Sequence, residues 1–330
     1  MRVLITTVPF GEINRLPLDL LEQAGIDYLI NPTGRKLKEH ELADMVGDFD
    51  VIIAGTEPIT ARVMERAPRL RLISRVGIGL DSVDLLEAQK RQISVSYTPD
   101  APAPAVAELT IGLMVSLLRH TQVSDREIRQ RNWRRFMGRR LSNIKVGILG
   151  MGRIGKGVTY LLQGFAPQIL ANDLQPDPVL NEQYDITWTD KKTIYQEADL
   201  ITVHLPLTGK TRNLIASREM AMMKPDALLI NTARGGIINE EDLALALKKN
   251  QLGGAAIDVF MEEPYYGELI NEKNCILTSH MGSMSQDCRY KMELEATKEA
   301  IRFIRNEPVM GSVPDLEYDI QKQSSKSRQK

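Results

Sequence analysis

Residues 145–173 constrain the fold of this chain more than any other segment. Lys145-Val146-Gly147-Ile148-Leu149 reads as a buried strand and runs directly into Gly150-Met151-Gly152-Arg153-Ile154-Gly155. A helix-like stretch follows, then a second apolar run over 168–171 that ends in Asn172-Asp173. Strand, glycine turn, helix, strand and acid in this order mark one half of a doubly wound parallel sheet with a dinucleotide site. Gly150 allows the tight turn, Gly152 lets the backbone approach a pyrophosphate, and Gly155 lets the helix pack closely on the strand. The helix N-terminus offers free N–H groups and a positive dipole end to phosphates. Asp173 lies 18 residues beyond Gly155, close to the spacing of a ribose-binding acid.

A second pattern overlaps the first. Gly150, Gly155 and Lys156 fit a nucleoside-triphosphate loop, but its last position is Gly157, which has no hydroxyl for Mg²⁺. The dinucleotide reading therefore stands. Asp173 points to NAD rather than NADP, because a carboxylate accepts from a ribose 2′-OH and repels a 2′-phosphate. Leu174 and Gln175 supply no cation for that phosphate.

The motif begins near the middle of the chain, so the organisation on either side matters. A length of 330 residues suits two domains at roughly 150 residues each. Residues 1–98 alternate short apolar runs with amphipathic stretches. Strands are expected at 3–6, 28–30, 51–54, 72–74 and 93–95, with helices such as 16–24 and 82–91 between them. Strands alternating with helices imply a parallel sheet covered on both faces. Pro99, Pro102 and Pro104 then suggest a linker or hinge. Val106, Leu109, Leu113 and Leu117 repeat at helical spacing in a largely apolar, buried helix. A basic stretch over 126–140, containing Trp133, reads as a solvated helix face and loop.

From residue 144 the alternation resumes, with six strands expected at 146–149, 168–171, 200–203, 227–230, 255–259 and 276–278. A long helix over 286–304 can return the chain to the first domain. The expected fold is α/β, with two doubly wound parallel-sheet domains. A Rossmann NAD domain, 101–287, is inserted into a flavodoxin-like substrate domain formed by 1–100 and 288–320. A substrate cleft is expected between them. The polar tail, 321–330, is expected to be disordered.

Composition excludes several classes. A net charge of −1 gives no reason to expect nucleic acid or an anionic membrane as partner. Two cysteines, Cys275 and Cys288, suggest neither a disulfide framework nor a metal cluster, so no metal is expected. No apolar stretch is expected to span a membrane, and the N-terminal run is too short for a signal peptide. A cytoplasmic enzyme is the expectation.

Ligands in such sheets sit outside the carboxyl ends of the strands. Three late strands lead there to Arg234, Glu263 and His280. Arg can grip a carboxylate bidentately. His can protonate an oxygen as hydride reaches carbon, or deprotonate the alcohol in reverse. Glu can hold the imidazole. Alone, each has an ordinary explanation, the Arg as a surface ion-pairing residue and the His as a structural one. At three consecutive strand ends they form a set suited to 2-hydroxy-acid chemistry, so the partner is a small 2-hydroxy or 2-keto acid.

These segments together resemble the D-isomer-specific 2-hydroxyacid dehydrogenase family over nearly the whole chain. The resemblance rests on the glycine motif, Val203-His204-Leu205-Pro206-Leu207-Thr208, Asn231-Thr232-Ala233-Arg234-Gly235-Gly236, Asp258-Val259-Phe260-Met261-Glu262-Glu263-Pro264 and Ser279-His280-Met281-Gly282. It implies a catalytic Arg234, Glu263 and His280. It also implies cofactor contacts at Arg153, Ile154, Asp173, Leu205, Pro206, Thr232, Ala233, Asp258 and Gly282, and a homodimer joined through the cofactor domain. Formate-type oxidation within the family is disfavoured, since Glu263 stands where those enzymes resemble a Gln–His pairing. A non-enzymatic NAD-binding corepressor shares the fold and the triad; the short, unadorned tail favours an enzyme.

For the substrate, Arg75-Val76-Gly77-Ile78-Gly79-Leu80-Asp81 is the informative loop. Glycines there let backbone N–H groups of Val76 and Gly77 approach a carboxylate. The loop is similar to that of D-3-phosphoglycerate dehydrogenases, in which the matching Arg contacts a phosphate. Ile78 and Ala54 depart from that pattern. Phosphoglycerate-type activity is the leading expectation, with glyoxylate or hydroxypyruvate reduction as the alternative.

Overall fold

The computed structural model describes residues 1–328. It divides into two compact units, Met1–Pro102 with Met284–Lys330, and Ala103–Ser283. The chain thus leaves the first unit two residues later, and rejoins it four residues earlier, than the expected boundaries at 100/101 and 287/288.

The first unit holds five parallel strands, β1 (Arg2–Ile5), β2 (Asp27–Ile30), β3 (Val51–Ala54), β4 (Leu72–Arg75) and β5 (Ser94–Tyr97). Their order, β2-β1-β3-β4-β5, is the flavodoxin-like one. The central strands β3 and β4 are buried along their whole length, which is why they read as continuous apolar runs rather than alternating ones. Helix Gln286–Ile304 packs against β3 and β4 and buries Met292, Ala296 and Ala300.

The second unit holds β6 (Lys145–Leu149), β7 (Gln168–Asn172), β8 (Ile186–Trp188), β9 (Leu200–Val203), β10 (Leu228–Asn231), β11 (Gly254–Ile257) and β12 (Cys275–Leu277). All pair in parallel, in the order β12-β11-β10-β9-β6-β7-β8. This is the dinucleotide-binding order with a seventh strand added, and its switch point lies between β6 and β9.

Four expectations need correction. The sheet has seven strands rather than six: β8 has three residues and pairs only with β7, too short a run to give a periodic signal. Pro102 and Pro104 do not form an open linker. They stand in the first turn of helix Pro102–Arg119, where proline needs no N–H partner. That helix also meets the length and composition of a membrane span, against the expectation that no segment would. Its Ala107, Leu113, Met114, Leu117 and Leu118 belong to the core that also contains Val146 and Ile148 of β6. Finally, the tail is helical over Asp315–Arg328. Gln321 anchors it by donating to the Leu80 and Val83 carbonyls and accepting from the Leu85 N–H, and Tyr318 packs on the first unit's core. Residues 329 and 330 lie outside the described residues.

Candidate active site

At the carboxyl end of β6 the glycine turn takes the form its sequence implies. A Cβ on Gly155 would sit 2.1 Å from the Gly150 carbonyl oxygen, so only glycine lets helix Arg153–Leu162 start this close to the strand. Gly152, the N-cap of that helix, has open space where its Cβ would point. A backbone that is sterically open at a helix N-terminus is what a pyrophosphate requires, so these residues fit a dinucleotide. Arg153 and Ile154 form the helix's first turn.

Asp173 follows β7 and accepts from the Met151 N–H at 2.7 Å and the Gln175 N–H at 3.0 Å. The acid therefore also braces the glycine turn. Leu205 and Pro206 follow β9 across the switch point, where the His204 N–H donates to the Leu149 carbonyl at 2.8 Å. The His204 ring is enclosed, with Nε2 3.0 Å from the Thr202 hydroxyl, and burial pushes it down to about 3.

The three reacting candidates come from the adjacent strands β10, β11 and β12. His280 holds the direct contact: its Nδ1 lies 3.0 Å from both carboxylate oxygens of Glu263. An ionised carboxylate only accepts, so Nδ1 carries the proton and Nε2 is left for proton exchange. Side-chain exposures of 37% for His280 and 28% for Glu263 leave the pair open to exchange with water. Glu263 is oriented by the Phe260 N–H at 3.2 Å.

His280 adopts φ +52°, a left-handed conformation uncommon for a residue with a side chain. Asp258 holds it there. The Asp258 carbonyl accepts from the His280 N–H at 2.8 Å. Its carboxylate, 1% exposed, accepts from the Thr278 hydroxyl at 2.6 Å and from the Met281 and Gly282 N–H groups, each at 2.9 Å. The loop that carries the imidazole is thus built around one buried acid.

Arg234 lies beyond β10. Asn231 shapes its turn by donating to the Arg234 carbonyl at 2.8 Å and accepting from the Ala233 N–H at 3.0 Å. The Arg234 guanidinium donates to the Ala233 carbonyl at 2.6 Å. A Cβ on Gly235 would lie 2.0 Å from the Phe260 carbonyl carbon, so the Arg-bearing loop and the Glu-bearing loop touch backbone to backbone. Glu240 braces the second loop by accepting from the Met261 N–H at 2.7 Å. Burial, and then the charges of Glu263 and Glu262, hold its carboxyl above the usual range, against the lowering effect of that N–H.

Glu240, and the bracing roles of Asn231, Gly235 and Asp258, escaped the reading of the sequence. The dipeptide Gly235-Gly236 was the available signal for close backbone approach; nothing local marks Glu240.

Arg75, Val76 and Gly77 lie in the first unit, and their placement differs from the expectation of open donors. Arg75 is 5% exposed, and its guanidinium donates to the carbonyl of the next residue, Val76. The Val76 N–H donates to the Ala54 carbonyl at 2.8 Å and the Gly77 N–H to the Thr98 hydroxyl at 2.8 Å. Both N–H groups expected to meet a carboxylate are engaged within their own unit.

Residues 111–282 match the family model described as D-isomer specific 2-hydroxyacid dehydrogenase, NAD binding domain. A glyoxylate reductase of Thermococcus litoralis is 34% identical over 277 residues, covering 81% of this chain and 84% of that protein. A D-3-phosphoglycerate dehydrogenase of Synechocystis is 32% identical over 92% of this chain, which spans only 56% of that relative. Among solved structures, the TT0316 protein from Thermus thermophilus superposes with a TM-score of 0.88 at 30% identity, covering 95% of this chain and all of that one.

Proposed function

The chain belongs to the D-isomer-specific 2-hydroxyacid dehydrogenase family, NAD-dependent enzymes acting on CH–OH donors, and from that premise we propose that it reduces a small unphosphorylated 2-keto acid of the glyoxylate and hydroxypyruvate class. The observation that carries the choice of substrate is the state of Arg75. A 3-phosphoryl group needs a fixed, accessible cation, and Arg75 is buried and turned onto its own loop. Ala54, fully buried, brings no second cation. This reverses the order of the two substrate readings drawn from the sequence.

In the proposed reaction Arg234 grips the substrate carboxylate, and its charge polarises the neighbouring carbonyl. NAD, when bound in reduced form, supplies the hydride. His280 delivers a proton from Nε2 to the carbonyl oxygen, and Glu263 keeps the imidazole in register through Nδ1. The proton is restored from water at the exposed edge of the ring. In the oxidative direction the same nitrogen takes the hydroxyl proton. The reading includes a homodimer. Trp133 and Met137, 87% and 94% exposed, stand on the arginine-rich segment after helix Thr121–Arg129 and are suited to burial against a second copy.

Steady-state rates with NADH decide the substrate. We expect kcat/KM for glyoxylate or hydroxypyruvate to exceed that for 3-phosphohydroxypyruvate by roughly tenfold or more, equivalent to one lost charge-assisted contact. The opposite order would restore the phosphoglycerate reading.

A further inference from the structure

Helix Glu240–Lys248 starts four residues after Gly236. Its N-cap is Asn239, whose side chain accepts from the Asp242 N–H at 3.0 Å. The cap fixes the backbone of the first helical residue, Glu240, and its side chain leaves the helix. It crosses to the loop of Glu263 and accepts from the Met261 N–H at 2.7 Å. Burial raises the Glu240 carboxyl, and two backbone N–H groups pull the other way, that of Met261 and then that of Gly236. The carboxylate therefore stands against the backbone of both loops. Gly236 lies two residues after Arg234, and Met261 two residues before Glu263.

The seam between these loops is tight. A Cβ on Gly235 would sit 2.4 Å from the Met261 nitrogen, and one on Gly236 would sit 2.8 Å from Met261 Sδ. Such packing brings two backbones together, but it is non-directional and does not by itself stop one sliding along the other. A hydrogen bond is directional and does. Two successive N–H groups of the second loop end on two different acids: that of Phe260 on Glu263 at 3.2 Å, and that of Met261 on Glu240 at 2.7 Å. Glu263 in turn holds His280 Nδ1 at 3.0 Å.

We propose that Glu240 is a positioning residue for the reaction. It ties the loop of Arg234 to the loop of Glu263, and so sets the offset between the guanidinium that grips the substrate carboxylate and the imidazole that delivers the proton. The proposal rests on the reading of Arg234 and His280 in those two roles. Each loop has its own brace, Asn231 in the first and the Phe260 N–H in the second; Glu240 fixes one against the other. Losing that offset leaves the carboxylate grip intact in the ground state. The cost falls where both groups must act together, in the transition state.

The test is steady-state kinetics of the full-length protein with NADH and glyoxylate, in water and in deuterium oxide. Rates are expressed per NADH site counted by calorimetric titration, so that unfolded protein does not enter. Glu240→Ala should lower kcat by roughly 10- to 100-fold, the loss of one hydrogen bond to a charged group. KM for glyoxylate should stay within about twofold, and NADH affinity should not change. The solvent isotope effect on kcat should rise, because a misaligned imidazole makes proton transfer slower. Glu240→Gln keeps an acceptor oxygen at the same reach and should recover most of the lost rate and the wild-type isotope effect. Glu240→Asp, one methylene too short for Met261, should behave as the Ala variant does and covers the case in which that variant misfolds. Ala and Asp variants with wild-type kcat per site, or with a lower kcat and an unchanged isotope effect, overturn the proposal and leave Glu240 a structural residue. So does a Gln variant no better than Ala. Wild-type protein that binds NADH yet turns over no 2-keto acid overturns the reading of the reaction itself, a separate and recognisable outcome.

Discussion

Replacing Asp258 by Asn should cripple the enzyme through the histidine loop rather than through the loss of a charge at the substrate. The carboxylate takes three donors: Thr278 Oγ1 and the Met281 N–H at one oxygen, and the Gly282 N–H at the other. An Asn side chain has one acceptor. If its oxygen keeps Thr278 and Met281, its NH₂ faces the Gly282 N–H, and two donors oppose each other in a site 1% exposed. The opposite rotamer loses two bonds instead of one. The lost bond to a charged group costs about 1.5–3 kcal/mol. The surviving two weaken as the formal charge goes, so a total near 3 kcal/mol is reasonable. His280 is held at φ +52° by this loop and by its own N–H bond to the Asp258 carbonyl, with Glu263 holding the ring. If the loss appears as misalignment of the imidazole, kcat/KM falls on the order of 10². If it appears as unfolding, the thermal midpoint falls by roughly 6–12 °C for a unit of this size. Steady-state kinetics with NADH and calorimetric melting read the two together. An Asn variant within threefold of wild type in kcat/KM, and within about 2 °C in midpoint, would refute the account.

Three further outcomes follow. His280→Ala should lower turnover by at least about 10² while NADH still binds by fluorescence titration; wild-type turnover would remove the acid–base role. Asp173→Ala should relax the preference for NADH over NADPH and also weaken NADH itself, because the Met151 N–H loses its acceptor; unaltered affinity for both would mean that the acid does neither job. His204, pushed down to about 3 by burial, lies below its ordinary value of 6.5, so the unfolded chain binds the proton first. Its contribution to stability is present above pH 6.5 and is lost as pH falls toward 3. Urea midpoints should therefore drop less on acidification in His204→Asn than in wild type; parallel curves would show that some other group governs the acid limb.

The parts legible in the sequence are those in which a backbone requirement and a side-chain requirement coincide. Gly150-Met151-Gly152-Arg153-Ile154-Gly155 follows a five-residue buried strand, so the turn, the helix start and the strand each point to the same place. Arg234, Glu263 and His280 were legible because each follows an apolar run at a strand end. What escaped depends on distant residues. The hydroxyls of Thr110 and Thr232 meet across 122 positions, and no local pattern links them. β8 hid in three residues of which only Ile186 is buried. The polar tail reads as disordered until Gln321 is seen to reach the Leu80 and Val83 carbonyls, a contact across more than 230 residues. Arg75 shows the converse limit. Its position at the end of β4 was clear, but the direction its guanidinium takes is set by the Val76 carbonyl and by burial.

If the proposed unphosphorylated substrate is right, that direction also makes phosphate recognition more than one substitution away. Exposing Arg75 requires breaking its bond to Val76 and resolvating a guanidinium that is 5% exposed. A second cation at Ala54 has no room. The residue is 0% exposed at the end of β3, next to Arg75 of β4 in register, and a core packed at crystal density resists even one added methylene. An acid three residues beyond Ala54 compounds the problem. Glu57, 1% exposed, accepts from the Thr6 hydroxyl and from the Gly55 N–H at 2.8 Å, and so offers an acceptor where a phosphoryl oxygen needs donors. Ala54→Arg is therefore expected to lower the thermal midpoint steeply before any rate with 3-phosphohydroxypyruvate appears. A folded Ala54→Arg protein that gains that activity would show the carboxyl edge of the first sheet to be far more plastic than its packing implies.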